Sequence, residues 1–164
     1  MQSFHGYMDE YKKQMERGYI QKAYVGLMEY MMSLRTHFRR KYPEYSSSGS
    51  MYQGYMDMTY FPLFPKALKS KKLKIAVVFI HNTPKFEAWL AGNNRQVQAK
   101  YWKLFKESGW NKFRIPSTIT GTDSIVEYTL VDQPDFSDLG TLTEQIETGI
   151  LNFIGDIEDF LSKH

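Results

Sequence analysis

The run Leu73–His81 reads LKIAVVFIH, apolar or β-branched on both alternating parities. A strand buried on one face alternates apolar and polar residues. A strand covered on both faces does not, so this run belongs in the interior of a sheet. Its neighbours follow the one-sided pattern. Met51–Phe61 alternates Tyr52, Gly54, Met56, Met58 and Tyr60 against Gln53, Tyr55, Asp57, Thr59 and Phe61. Lys85–Ala91 alternates Phe86, Ala88 and Leu90 against Lys85, Glu87 and Trp89. The links, Pro62–Lys72 and Asn82–Pro84, are too short for a parallel crossover, which takes a dozen residues or more. The three runs therefore predict an antiparallel meander with Leu73–His81 in the middle.

Helical periodicity brackets this meander. Tyr7, Met8, Tyr11 and Met15 give a first helix ending near Gly18. Ile20 to Phe38 holds the 3.6-residue period for about five turns and stops before Pro43. Arg35, Arg39, Arg40 and Lys41 complement the negative end of that helix. Ser46–Ser50 reads as a loop. After the meander, Gly92-Asn93-Asn94 starts a helix with an apolar stripe at Val97, Tyr101, Leu104 and Phe105. Asp123–Val131 alternates as a fourth strand. Thr141 with Glu144 matches a capping box ahead of a long amphipathic helix through Leu161. The expectation is one α+β domain over residues 1–164, of order ααβββαβα: an antiparallel three-strand meander plus a fourth strand, flanked by helices.

Charge is unevenly distributed. Residues 1–120 hold 20 of the 21 Lys and Arg but 8 of the 18 Asp and Glu, so a basic front precedes an acidic end. The two regions can attract each other, or the basic face can bind an anion or nucleic acid. The basic segments are 35–41, 66–74 and the Arg95–Lys106 arc, each with aromatic residues nearby. No apolar run approaches the roughly 20 residues of a membrane span. The first residues lack a signal-peptide core, which makes a cytoplasmic, non-membrane protein the expectation. Without cysteine there is no disulfide or thiolate chemistry.

No motif fixes a reaction. His5, His37, His81 and His164 share no ligand spacing, so no metal or cofactor is implied. There is no G-x-S-x-G nucleophile turn. Asp57 and Glu87 are the acids within the three strands of the meander. On one face of the sheet they would lie roughly 10 Å apart across the central strand, near His81. The plainer alternative makes them structural ion pairs with Arg35, Arg39 or Arg95. Gly92-Asn93-Asn94 offers free backbone N–H groups to an anion, or is simply a helix cap. These features define a candidate small-molecule or anion site where the third strand meets the next helix. It is lined by Tyr55, Asp57, Glu87, Trp89, Arg95 and Gln98, provided that the parities of the two outer strands coincide. The expected function is a non-enzymatic binding or interaction domain with a basic face. The rival expectation is a nuclease-like or hydrolytic enzyme using Asp57, Glu87 and His81, which requires all three to converge on one cleft.

The segments YQGYMDMTYF, KLKIAVVF, FEAWLAGNN, VQAKYW, DSIVEYTLVDQPDFSDL and LTEQIETGILNFIGDIEDFL resemble an uncharacterised prokaryotic family known as a domain of unknown function. The resemblance covers nearly the whole chain and implies no activity. In order alone, helix–strand–strand–strand–helix–strand resembles the restriction-endonuclease-like core. That resemblance implies an acid on the second strand and acid-x-Lys on the third. Here the second strand has no acid and the third reads Glu87-Ala88-Trp89, with tryptophan in the lysine position.

Overall fold

In the computed structural model, which describes residues 1–45 and 49–164, the helices and strands follow the expected order. They are α1 Phe4–Arg17, α2 Tyr19–Lys41, β1 Met58–Leu63, a short α3 Lys66–Lys69, β2 Leu73–Ile80, β3 Lys85–Gly92, α4 Arg95–Ser108, β4 Val126–Val131 and α5 Leu139–Ser162. The fold divides into two compact units, Met1–Leu34 and Arg35–His164. In the first unit, Ser3 caps α1 by accepting from the Gly6 N–H, and Gly18 ends it at φ 78°. Three of the five residues read as a Ser-rich loop, Ser46–Ser48, lie outside the described residues.

In the second unit the four strands pair antiparallel in the order β1-β2-β3-β4. The doubly apolar run is an inner strand, as its pattern requires. The register sorts side chains onto two faces. Phe61, Val77, Ala88 and Tyr128 share one row, with Leu63, Ile75, Leu90 and Val126 beside it. On this core face the β-sheet residues are almost all buried, and rings from the helices pack against them. Phe38 of α2 meets Phe61, and Phe153 of α5 stacks on Tyr128. Phe105 of α4 stacks on Phe160 of α5 at 4.2 Å. Gly149 marks where α5 comes nearest: a Cβ there would stand 2.6 Å from Leu130 Cδ2.

The second face carries Tyr60, Val78, Glu87 and Thr129 in one row, and Pro62, Ala76, Trp89 and Glu127 in the next. Loop residues extend these rows at both edges: Tyr52 bridges to Tyr60, and Arg114 bridges to Glu127.

Three boundaries differ from expectation. The first strand begins at Met58 rather than Met51. Gly54 at φ 73° and Met56 at φ 64° form a turn that interrupts the alternating sequence, leaving Tyr52 as an isolated bridge. A Cβ on Gly54 would lie 2.1 Å from the Met58 carbonyl oxygen, so the turn needs glycine there. The fourth strand begins at Val126 rather than Asp123. The last helix is capped by Asp138, which accepts from the Thr141 N–H and hydroxyl, so Thr141 lies inside the helix rather than at its cap.

Candidate ligand site at the β3–α4 junction

The six residues expected to line a site fall into three groups. Tyr55 and Asp57 belong to the turn before β1. Tyr55 is 93% exposed, and the Asp57 carboxylate accepts from its N–H at 2.9 Å. Backbone donors at Met58 and Tyr55 hold the Asp57 carboxyl below its usual range. Asp57 faces His81 in the register, since the His81 N–H donates to the Asp57 carbonyl, whereas Glu87 pairs with Val78. The parities of Asp57 and Glu87 therefore differ.

His81 lies on the Asp57 parity as well. The Thr59 hydroxyl donates to the Gln53 carbonyl at 2.7 Å and stands 2.8 Å from His81 Nε2. With its proton already committed, that hydroxyl can only accept, so Nε2 carries the imidazole proton. Burial pushes the His81 pKa down, against a smaller opposing pull from Asp57. The sheet separates Glu87 from the other two members of the expected catalytic set.

Glu87 and Trp89 do come together, two residues apart on the second face. Glu87 is 2% exposed and accepts from Trp89 Nε1 at 2.8 Å, Lys85 Nζ at 3.0 Å and Arg114 Nη2 at 3.1 Å. Arg114 also pairs with Glu127, whose other oxygen accepts from the Ser124 hydroxyl. Burial drives the Glu87 carboxyl upward, but the three donors outweigh it and its pKa is lowered overall. Its partners are thus Lys85 and Arg114 rather than Arg35, Arg39 or Arg95. Arg114 was missed because it sits 27 residues away in an irregular segment, and only its bridge to β4 brings it onto this face.

Beside this network the second face holds a hollow of about 260 Å³. Its floor is Ala76 and Ala91; Tyr52, Tyr60, Met58 and Trp89 form its walls, with Lys74 and Asp123 at its polar edge. The Tyr52 and Tyr60 rings sit 5.1 Å apart. Burial and the nearby Asp123 raise the Tyr60 pKa, so the phenol stays protonated. Alanines between rings are what make a concave surface on a sheet that would otherwise be flat.

Arg95 and Gln98 form the third group, in an adjoining cleft of about 490 Å³ at the start of α4. Gly92 and Asp123 line both cavities. Asn94 caps α4 by accepting from the Val97 N–H at 2.9 Å, so the helix start read from Gly92-Asn93-Asn94 is present. Gln98 is buried, and its Oε1 accepts from the Gly92 N–H at 2.8 Å. Gly92 permits this approach: a Cβ there would lie 2.7 Å from the Gln98 nitrogen. Across the cleft runs the loop Ile119–Asp123.

Among the described residues no three His, Asp or Glu side chains gather as a metal site would need. No described helix is long and apolar enough to cross a membrane.

The geometry defines an α+β domain with paired cavities at one strand–helix junction. A family model matches residues 4–161, and the chain belongs to that family, a domain of unknown function, DUF7000. No curated protein and no solved structure matches the chain, so the order-only likeness to restriction-endonuclease-like folds gains no support.

Proposed function

We propose that the chain is a non-enzymatic binding domain that takes a small molecule with a planar part into the hollow on the second face of the sheet. The observation that carries this reading is the ring-walled hollow itself: Tyr52, Tyr60 and Trp89 around an alanine floor. Aromatic walls with a few polar groups at the edge are the usual make-up of a small-molecule site. Glu87 supports the same reading by accepting from Trp89 Nε1, which fixes the indole plane. The separation of Glu87 from Asp57 and His81 counts against the enzymatic alternative. Native mass spectrometry of the protein as purified, and of the protein mixed with a panel of planar small molecules, tests the reading. The expected result is retention of a small molecule that is lost in Trp89→Ala and Tyr52→Ala, with melting temperature within a few degrees. Equal retention in both variants would refute it.

A second reading has its own observation. Lys71 of the β1–β2 link meets Lys100 and Lys103 of α4 around one shallow depression with Tyr101. Two of the three basic segments thus share a surface, as phosphate-backbone contact requires. Filter binding to single- and double-stranded oligonucleotides at about 50 mM salt, where non-specific phosphate contacts are favoured, is expected to show retention that Lys71→Glu with Lys100→Glu abolishes. Absence of retention at that salt removes the nucleic-acid reading.

A further inference from the structure

The apolar stripe of α1 lies open. Phe4, Tyr7, Met8 and Tyr11 follow one another at helical spacing and share one side of the helix. None of the residues of α1 is buried, and these four are between 44% and 79% exposed. The helix is nonetheless well made, with Ser3 capping its start and Gly18 closing its end. An isolated helix of 14 residues is marginal in water, and most helices owe their stability to packing of an apolar side. The stripe is built from phenylalanine, tyrosine and methionine, the types enriched at protein–protein interfaces, and α1 contains no leucine, isoleucine or valine.

Charge indicates what covers this stripe. Residues 4–10 carry Asp9 and Glu10, a balance of −2. Residues 11–17 carry Lys12, Lys13 and Arg17 against Glu16, a balance of +2. A second α1 laid antiparallel sets each acidic half beside a basic half, whereas a parallel copy sets like beside like. A two-fold axis across the helices generates the antiparallel arrangement from identical chains. A lipid surface is the poorer match. The unit Met1–Leu34 holds Lys12, Lys13, Arg17 and Lys22 against Asp9, Glu10, Glu16 and Glu29, a balance of zero, and a helix lying on anionic lipid needs a basic polar side.

The available area also fits a second copy. At about 200 Å² for a large side chain, the exposed parts of the four stripe residues come to on the order of 450 Å². Homodimer interfaces are about 65% apolar, so the stripe with its polar flanks corresponds to about 700 Å² per chain, or roughly 1,400 Å² in all. That lies within the range of about 1,200–2,000 Å² for specific, stable interfaces.

We propose that α1 is a self-association surface. Two copies of the chain pair through antiparallel α1 helices, with Phe4, Tyr7, Met8 and Tyr11 forming the apolar seam and the oppositely charged halves setting the direction.

The test is analytical ultracentrifugation of the full chain at low salt, from about 1 μM to about 1 mM. The mass is expected to rise with concentration from 19.3 kDa to twice that value. Tyr7→Ala with Tyr11→Ala is expected to weaken pairing about a hundredfold, as loss of two aromatic anchors does. Charge reversal gives a second test that leaves the stripe intact. Lys12→Glu with Lys13→Glu makes both halves of α1 acidic, and Asp9→Lys with Glu10→Lys makes both basic. Each variant alone is expected to pair about tenfold more weakly than the natural chain, and an equimolar mixture of the two is expected to restore pairing. A parallel pair already sets like charges together, so either variant alone would leave its affinity unchanged; that result would overturn the antiparallel arrangement. Pairing that ignores Tyr7→Ala with Tyr11→Ala would place the contact elsewhere and overturn the proposal. A mass of one chain at every concentration would overturn it too, and binding of that monomer to phosphatidylcholine vesicles would assign the stripe to a membrane surface instead.

Discussion

The two faces of the sheet each carry one buried glutamate, and the two are built differently. On the core-face side, Glu147 of α5 is 7% exposed and accepts from three residues at the end of α2: Lys41 Nζ at 2.7 Å, His37 Nε2 at 2.9 Å and the Tyr42 hydroxyl at 2.5 Å. More than a hundred residues separate the partners, so the cluster fastens one helix to another. On the second face, Glu87 draws two of its donors, Lys85 and Trp89, from its own strand. The first arrangement joins residues far apart in the chain, so its loss is expected to lower the stability of the fold. The second orients side chains already in place, and its loss changes the shape of a surface. Burial of charge alone does not distinguish a structural staple from a site-shaping group; the sequence distance to its partners does.

The largest effect is expected where the core face is filled. Phe153 is fully buried and in contact with Tyr128 and Phe113. Phe153→Ala is expected to cost about 3–5 kcal/mol in urea unfolding through lost burial and the cavity left behind. A loss comparable to that of any second-face substitution would collapse the distinction between the faces.

Glu147→Gln comes next, at about 1–3 kcal/mol near neutral pH, since the charge-assisted contacts go while the shape stays. Burial pushes the Glu147 carboxyl up, but Lys41, Tyr42 and His37 outweigh it and bring the pKa from 4.5 to about 2. A depressed carboxylate stabilises the fold fully above its unfolded value, and that contribution is lost as pH falls from 4.5 to about 2. Acid unfolding curves should therefore flatten in that window in Glu147→Gln. The partner gives the mirror-image test. The hydrogen bond to Glu147, with burial, raises the Tyr42 phenol from 10.0 to about 12. Its contribution is present below 10.0 and lost as pH rises toward about 12, so Tyr42→Phe should flatten the alkaline limb only.

Much of this architecture was legible in the sequence. Runs without alternation have one home in a sheet, so Leu73–Ile80 found its place, and short links made its neighbours antiparallel. Glu87 and Trp89 were readable as one pair because they share parity within a single strand. Asp57 was not readable, because its placement hangs on Met56 at φ 64°, a left-handed conformation that methionine seldom signals. Tyr and Met on both parities of Met51–Phe61 then disguised a turn as a strand. The Glu147 cluster was hidden for another reason. Lys41 at the end of a helix is fully accounted for by the helix dipole, and nothing local says that it reaches a carboxylate over a hundred residues on. Arg95 and Gln98 were legible as neighbours one turn apart, whereas the bond by which the Gln98 side chain accepts from the Gly92 N–H, back on β3, was not.

The smallest stability effect is expected at Glu87, and there the comparison is at its sharpest. Glu87 lies deeper than Glu147, so burial offsets more of what its donors contribute. When the charge is removed, Arg114 keeps Glu127, and Lys85, a quarter exposed, turns to water. Glu87→Gln should therefore cost only about 1 kcal/mol. It also leaves an amide oxygen for Trp89 Nε1, so the indole stays in plane and the hollow keeps its wall. Glu87→Met removes the acceptor altogether at similar volume. The Trp89 indole N–H is then expected to lose protection from hydrogen exchange and to shift in amide NMR spectra, while urea unfolding moves little. Small-molecule retention should fall with Glu87→Met and persist in Glu87→Gln. If instead both variants unfold the chain to the extent of Glu147→Gln, Glu87 is a second staple. The second face would then be a closed part of the structure rather than a surface shaped to receive a ligand.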